Sequence, residues 1–328
     1  MTNSFPTASE LAERHKNDPI LSKHSRNALI VVSNFDWRWD IGLIQRLYQP
    51  YFATTIFCGP FYPNVYYSYS KGFPDILNSF NYIHMNSEEM YHGYFGYECL
   101  TLAKELRLNN IDGYIHMADD TVFNLWQNID FSKVFHLTGI AFLNDRLWWT
   151  RRYGLSKAHD IVDFIKNTTD PEILSTWKEF EDGLRLYKYI NESQTAFDDM
   201  LLGKSRSLSD FYYIPSSKIE YYSKLMRIFY RHRLFLELAV NKFLRSVPHK
   251  TARELTKLYL WGNRGQWPSK YNSSMVAMHP IKLSMFQEPS KKRYIYCSKV
   301  IQTFHDILLA GSKNYTVKQN DEPDWMNG

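Results

Sequence analysis

The sequence has little cysteine and no long apolar run. Its 328 residues include three cysteines, Cys58, Cys99 and Cys297, and an odd, widely spaced set gives neither a disulfide framework nor a zinc-ligand pattern. At most one bridge can form, and three reduced thiols are the simplest expectation. No segment reaches the ~18 apolar residues that span a bilayer, and the polar first residues lack the apolar core of a secretory signal. These absences predict a soluble globular protein.

Strong charge and several common enzyme motifs are also absent. The net charge is only +5, which is far from a nucleic-acid-binding signature but suits a protein that handles an anionic ligand. There is no Walker loop, no Gly-x-Ser-x-Gly elbow and no His-Glu-x-x-His helix. A phosphotransferase with an aspartyl nucleophile would need Asp-x-Asp-x-Thr, whereas this chain reads Ala118-Asp119-Asp120-Thr121. The spacing therefore excludes that class.

Apolar runs and helical segments alternate from residue 27 onward. We predict strands at residues 27–35, 51–60, 80–86 and 111–120, with helices at 36–48 and 97–110. This alternation indicates an α/β fold with a mostly parallel sheet. The second half is different, because residues 160–206 are polar and helical in character and residues 218–246 have a helical period. The latter segment is one long helix or two helices broken near His232 and Arg233.

Two adjacent carboxylates, Asp119 and Asp120, end the apolar run "GYIHMADDTVFN". Ligands of α/β sheets bind beyond the carboxyl ends of the strands, so the pair is expected at such an edge. Paired carboxylates are hard oxygen ligands that suit Mg²⁺ or Mn²⁺, although a solvated turn explains the same letters. Asn34 and Asp36 follow the first strand and would face the same crevice, where they would contact a nucleotide; Asp36 is equally suited to cap a helix.

The sequence resembles glycosyltransferases of the GT-A type at three places. "GYIHMADDTVFN" is similar to their metal-binding strand end, usually Asp-x-Asp. "FLELAVNKFL" is similar to the acidic helix start of exostosin-like transferases, with Glu237 and Asn241 matching and Leu238 where a second acid is expected. "MVAMHPIKLS" places His279 where many of these enzymes supply a late metal-binding histidine, with Lys282 in reach of a diphosphate. The overall likeness is to exostosin-like and STELLO-like glycosyltransferases.

The resemblance implies a fold, a reaction and a set of partners. It implies an α/β nucleotide-sugar-binding half over residues 27–160, preceded by a leader over 1–26. A helical and loop-rich acceptor half would follow over 161–312, with a tail over 313–328. It further implies transfer of a hexosyl or N-acetylhexosaminyl group from a UDP-sugar to a hydroxyl of a glycan or other acceptor. Neither nucleic acid nor a membrane segment is expected to take part.

The resemblance also assigns roles to residues. Asp119, Asp120 and His279 would hold Mn²⁺ or Mg²⁺, Glu237 would be the base or acceptor-orienting acid, and Lys282 would contact the diphosphate. Because Leu238 replaces the second acid, the alternative is an inactive nucleotide-binding or adaptor protein of the same fold. The family implies the lumen of the Golgi or endoplasmic reticulum, normally behind a membrane anchor; without an anchor, a cytoplasmic location is the other expectation.

Overall fold

The structure is a computed structural model of the chain. It describes residues 17–33, 40–60, 74–142, 148–252, 257–260, 264–283, 286, 291–310 and 319–322. Asn34 and Asp36, predicted to contact the nucleotide, lie outside the described residues.

An eight-stranded sheet forms the centre of the molecule. Its strands are β1 (Asn27–Val32), β2 (Thr54–Gly59), β3 (Asn81–His84), β4 (Gly113–Ala118), β6 (Val134–His136), β9 (Phe211–Pro215), β10 (His249–Ala252) and β13 (Gln319–Glu322). The spatial order is β13-β10-β6-β9-β4-β1-β2-β3. Every neighbouring pair from β4 to β3 is parallel, whereas β9 runs antiparallel to both β4 and β6. The predicted α/β class with a mostly parallel sheet is therefore confirmed.

Two small sheets lie beside the large one. The strands β5 (Val122–Phe123), β11 (Lys257–Tyr259) and β12 (Ala277–His279) form one of them, and β7 (Ala141–Phe142) pairs with β8 (Ser205–Arg206) in the other. Because β5 begins two residues after the acid pair, its antiparallel pairing with β12 brings a distant segment of the chain to the end of β4.

Helices cover both faces of the large sheet. They are α1 (Pro19–His24), α2 (Ile41–Tyr48), α3 (Ser87–Met90), α4 (Glu98–Glu105), α5 (Leu155–Asn167), α6 (Pro171–Leu186), α7 (Ala196–Leu202), α8 (Ser216–Arg231), α9 (Leu236–Arg245), α10 (Trp267–Lys270), α11 (Lys291–Tyr296) and α12 (Gln302–Ala310). One core lies between the sheet and α2 with α12, and the other lies under α4 to α9. Coverage on both faces explains why all six residues of β1 are buried.

The helical segment at 218–246 is two helices. The first is α8 and the second is α9, and Arg233 between them has a φ of 57°, in the left-handed region that ends helices. Of the two alternatives that the sequence left open, the structure shows two helices with the break near His232 and Arg233. The break matters for the site because it sets the start of α9 at Leu236, one residue before Glu237.

A buried ionic cluster fixes α9 against α7. The carboxylate of Asp199 accepts a hydrogen bond from Lys242 Nζ at 2.8 Å and forms an ion pair with Arg245, whose Nη2 lies 2.5 Å from Oδ1; all three side chains are almost completely buried. Burial lowers the pKa of Lys242 to about 8. Removing one partner of such a cluster leaves buried charge without compensation, so the position of α9 is strongly held.

Cys58 and Cys99 form a disulfide between β2 and α4. Their Cα atoms are 6.0 Å apart and both residues are completely buried, while Cys297 is partly exposed. The expectation of three reduced thiols is therefore wrong. Spacing in the sequence could not reveal the pair, because the two cysteines meet only when the helix packs on the sheet.

We expect this bridge to contribute substantially to stability. It closes a loop of 41 residues, and cross-links of that kind typically stabilise a domain by about 2–4 kcal/mol. The variant Cys58→Ala/Cys99→Ala should lower the free energy of unfolding by that amount in urea titrations. Cys297→Ala is the matched control and should leave it unchanged. Equal stability of the double variant and the parent, with three titratable thiols in the parent, would contradict the assignment.

Candidate active site

The acid pair lies at the edge where β1 and β4 end. Asp119 and Asp120 follow β4 directly, and the Asp119 amide donates to the carbonyl of Val32 at 2.9 Å. Ser33 Oγ donates to Asp119 Oδ2 at 3.2 Å. Only 4% of Asp120 is exposed. Asp120 is therefore shielded from solvent, whereas Asp119 is half-buried.

The pairing of β5 with β12 brings His279 and Lys282 to this edge. His279 is the last residue of β12, and the amide of Ile281 donates to the Asp120 carbonyl at 2.6 Å. His279 Nε2 is 3.0 Å from Asp120 Oδ1, and Lys282 Nζ contacts Asp120 Oδ2. Three predicted site residues thus meet in one ionic network.

Asp210 is a member of the network that sequence reasoning missed. Its carboxylate oxygen Oδ1 is 3.2 Å from His279 Nε2, and its carbonyl accepts the Ala118 amide at 2.8 Å. Asp210 precedes β9, and an antiparallel strand begins at the edge where its parallel neighbours end. The sequence feature that could have identified Asp210 is the apolar run "FYYIP" after Ser209-Asp210. The run is short but consistent with a buried strand.

Burial and mutual charge set the protonation of the network. Burial raises the pKa of Asp119, and the charges of Asp120 and Asp40 raise it further. Burial also raises the pKa of Asp210. Burial alone would raise the pKa of Asp120, but His279 and Lys282 lower it below its usual range. Asp120 is therefore the most firmly ionised carboxylate of the group.

The two cationic partners respond in the opposite sense. Burial favours the neutral forms of His279 and Lys282, yet the neighbouring aspartates outweigh it and raise both pKa values. His279 is thereby favoured as an imidazolium that hydrogen-bonds to Asp120 and forms an ion pair with Asp210. The network can place positive charge beside buried carboxylates without any bound ion.

Glu237 faces the same pocket from the start of α9. Burial raises its pKa well above the usual value, and the charge of Asp210 raises it further. Its Oε2 atom is buried and has no hydrogen-bond partner among the described residues. Leu238 is completely buried in the core under the helices, so no acid could occupy that position without disrupting packing. Asp210 supplies a second carboxylate near Glu237.

The network and Glu237 line one cavity of about 230 Å³. Its polar lining includes Asp119, Asp120, Asp210, Glu237, His279 and Lys282. Every described residue of the predicted site therefore lies in this cavity. Arg264, which sequence reasoning also missed, adds a further cation on the side of Lys282. Asn241 instead has a structural role, because its side chain accepts from Ser205 Oγ at 2.8 Å.

The donor set is suited to a divalent cation, although the carboxylates are already engaged. Carboxylate oxygens with one imidazole are typical ligands of Mn²⁺. Among the described side chains, no group of three or more His, Cys, Asp or Glu residues is arranged to hold a metal ion as it stands. The two carboxylate oxygens of Asp120 are already in contact with His279 and Lys282, which explains why the group is not arranged around a metal ion. A metal ion would have to compete with these two cations.

An acidic pocket beyond the strand ends of a mostly parallel sheet is the arrangement of ligand-binding α/β enzymes. The chain belongs to the family of STELLO glycosyltransferases, whose family model matches residues 1–211. The STELLO-like resemblance seen in the sequence is thus confirmed, and the chain is a glycosyltransferase by family. The match includes Asp119, Asp120 and Asp210 and ends before Glu237 and His279.

Curated proteins and solved structures provide two further comparisons for this chain. No curated protein matches the sequence. Among solved structures, the chain is similar to core-mannan synthase A from Aspergillus fumigatus in its Mn/GDP form, with 12% identity and a TM-score of 0.32. That likeness covers 67% of this chain and 70% of the other. A similarity of this size carries no information about donor, acceptor or mechanism.

Proposed function

We propose that the protein is a metal-dependent glycosyltransferase of GT-A type that moves a sugar from a nucleoside diphosphate to a hydroxyl acceptor. The observation that carries the proposal is the convergence of Asp119, Asp120, His279 and Lys282 at one strand end, with Glu237 across the same cavity. These residues come from distant parts of the sequence, and a single ligand that bridges them explains the arrangement.

Asp119, Asp120 and His279 would hold Mn²⁺ or Mg²⁺. Bound there, the ion would neutralise the charge that develops on the departing diphosphate. Lys282 would move from Asp120 to a phosphate oxygen, and Arg264 would provide a second positive charge on that side. Lysine and arginine side chains commonly bind phosphate groups, which supports this assignment. UDP is the nucleotide that the family resemblance favours, and we propose it as the nucleotide of the sugar donor.

Glu237 would accept a hydrogen bond from the acceptor hydroxyl and take its proton. Burial raises the pKa of Glu237, and the charge of Asp210 raises it further, which makes its carboxylate a stronger proton acceptor. Asp210 would hold His279 and complete the acidic wall. In this division residues 27–160 supply Asp119 and Asp120 to the donor side, and residues 161–312 supply Glu237 to the acceptor side together with the donor-side residues His279, Lys282 and Arg264.

We also propose a lumenal, oxidising compartment such as the Golgi. Buried disulfides persist in such compartments and are rare in the cytosol, and the bridge between Cys58 and Cys99 is buried. Within the described part of the chain, no helix combines the length and apolar character needed to cross a bilayer.

A binding experiment tests the proposed donor site. We expect Mn²⁺ with UDP to raise the melting temperature more than either alone, because the ion and the diphosphate bind as a unit. GDP in place of UDP tests the nucleotide. Hydrolysis of UDP-sugars in the presence of Mn²⁺ would identify an active transferase, whereas a shift without turnover would favour the inactive nucleotide-binding alternative. The absence of any shift with either nucleotide would contradict the donor site.

A further inference from the structure

His116 is a buried imidazole that lines the same cavity and that the proposed mechanism does not use. It lies on β4, three residues before Asp119, and only 2% of it is exposed. Its Nδ1 atom is buried without a hydrogen-bond partner, and no hydrogen bond of its ring is formed with any described residue. Buried polar groups are almost always paired, so this side chain calls for an explanation.

The orientation of the ring is fixed by its neighbours. His116 is the register partner of Tyr212 on β9, and the two rings stack with centroids 4.5 Å apart and an interplanar angle of 12°. The Tyr212 hydroxyl is itself held 2.7 Å from the Tyr222 hydroxyl. The imidazole therefore cannot easily turn to find another partner, and the ring is held in the cavity wall.

Gly96 lies close to the His116 ring and lines the same cavity. A Cβ atom at Gly96 would lie 3.1 Å from Val32 Cγ1 and 3.8 Å from His116 Cε1. Any larger side chain would extend into the space that these residues share at the cavity. The cavity wall thus combines a fixed imidazole with a neighbouring residue that has no side chain.

The chemistry of His116 suits a neutral ligand group. Burial lowers its pKa to about 3, so the ring is neutral and has one N–H donor and one nitrogen acceptor. A hydroxyl group matches both, whereas a phosphate offers only acceptors and is better served by Lys282 and Arg264. The ring forms no hydrogen bond with the described residues, so a ligand hydroxyl that reaches it from the cavity would supply the first one.

We propose that His116 hydrogen-bonds a hydroxyl of the sugar being transferred and thereby helps to select the donor. The inference rests on the proposed function, because it assumes that the cavity binds a nucleotide-sugar. The position agrees with it, since His116 lines the same cavity as the acid pair of the diphosphate site and Glu237. The sugar joins these two places during transfer.

The test compares the affinity for an intact donor with that for its free nucleotide. Dissociation constants are measured with Mn²⁺ by calorimetry for UDP, GDP, UDP-glucose, UDP-galactose, UDP-N-acetylglucosamine and GDP-mannose. In the parent protein, the best donor should bind more tightly than its own nucleotide. His116→Phe should reduce that advantage by about tenfold, the usual loss of one neutral hydrogen bond, and leave affinity for the free nucleotide within about twofold.

Two further variants keep the test decisive. His116→Asn retains a donor and an acceptor and should recover part of the advantage, and His159→Asn, on an exposed position of α5, should change nothing. An unaltered advantage in His116→Phe, or an equal loss for the free nucleotide, would overturn the inference but leave the proposed function intact. A parent protein that binds none of these nucleotides would overturn both.

Discussion

Asp120→Asn should abolish the Mn²⁺-dependent binding of UDP and lower sugar transfer by on the order of 100-fold or more. Replacing groups that merely orient a metal ligand already costs 10–100-fold, and Asp120 is proposed as a ligand itself. Its carboxylate is also the shared partner of His279 and Lys282. The measurements are the thermal shift with Mn²⁺ and UDP, and the initial rate of UDP-sugar hydrolysis.

Folding must be separated from function in this variant, because Asp120 is buried among charges. Asp119→Asn removes a less strongly ionised carboxylate and should cause a smaller but clear loss of both readouts. Asp163→Asn, at an exposed position of α5, is the matched control and should behave like the parent. A folded Asp120→Asn protein that retains the Mn²⁺-dependent shift would contradict the assignment of Asp120 to the metal.

Glu237→Gln should slow transfer to the acceptor by about 10²–10⁴-fold, the usual contribution of a general base. The amide has nearly the same shape but cannot accept the proton of the acceptor hydroxyl. Binding of Mn²⁺ and UDP should be unchanged, because the acid pair and its cations remain. Steady-state rates with saturating donor, together with the thermal shift, measure the two effects separately.

A comparison with neighbouring acids decides between the two roles considered for Glu237. If Asp210→Asn causes the larger loss and Glu237→Gln nearly none, the base is Asp210, and Glu237 only orients the acceptor. Glu179→Gln, exposed on α6, provides the control for a neutralised surface glutamate. Loss of nucleotide binding in Glu237→Gln would contradict its placement on the acceptor side.

The half of the fold with parallel strands could be predicted from the sequence because its signals are local. The strands β1, β2 and β4 are short apolar runs bounded by turn residues, and the position of Asp119 and Asp120 follows from the rule on strand ends. The break before α9 was also visible near Arg233. These features require no knowledge of which strands are neighbours.

The missed features all depend on contacts between distant segments. The strand β9 is only five residues long, and its insertion between β4 and β6 cannot be inferred from its letters. Asp210 reaches the site only through that insertion. The bridge between Cys58 and Cys99 likewise depends on how α4 packs over β2. Whether Leu238 is buried or exposed depends on how the helices pack, and in the structure it lies in the core.

The most direct test of the central claim is the position of Mn²⁺ in crystals grown with MnCl₂ and UDP. Anomalous diffraction at the manganese edge locates the ion without assumptions about activity. We predict one peak at the end of β4, bonded to the carboxylate of Asp120 and to the diphosphate of UDP. A peak elsewhere, or UDP bound with Lys282 still paired to Asp120 and no metal nearby, would contradict a metal-dependent donor site.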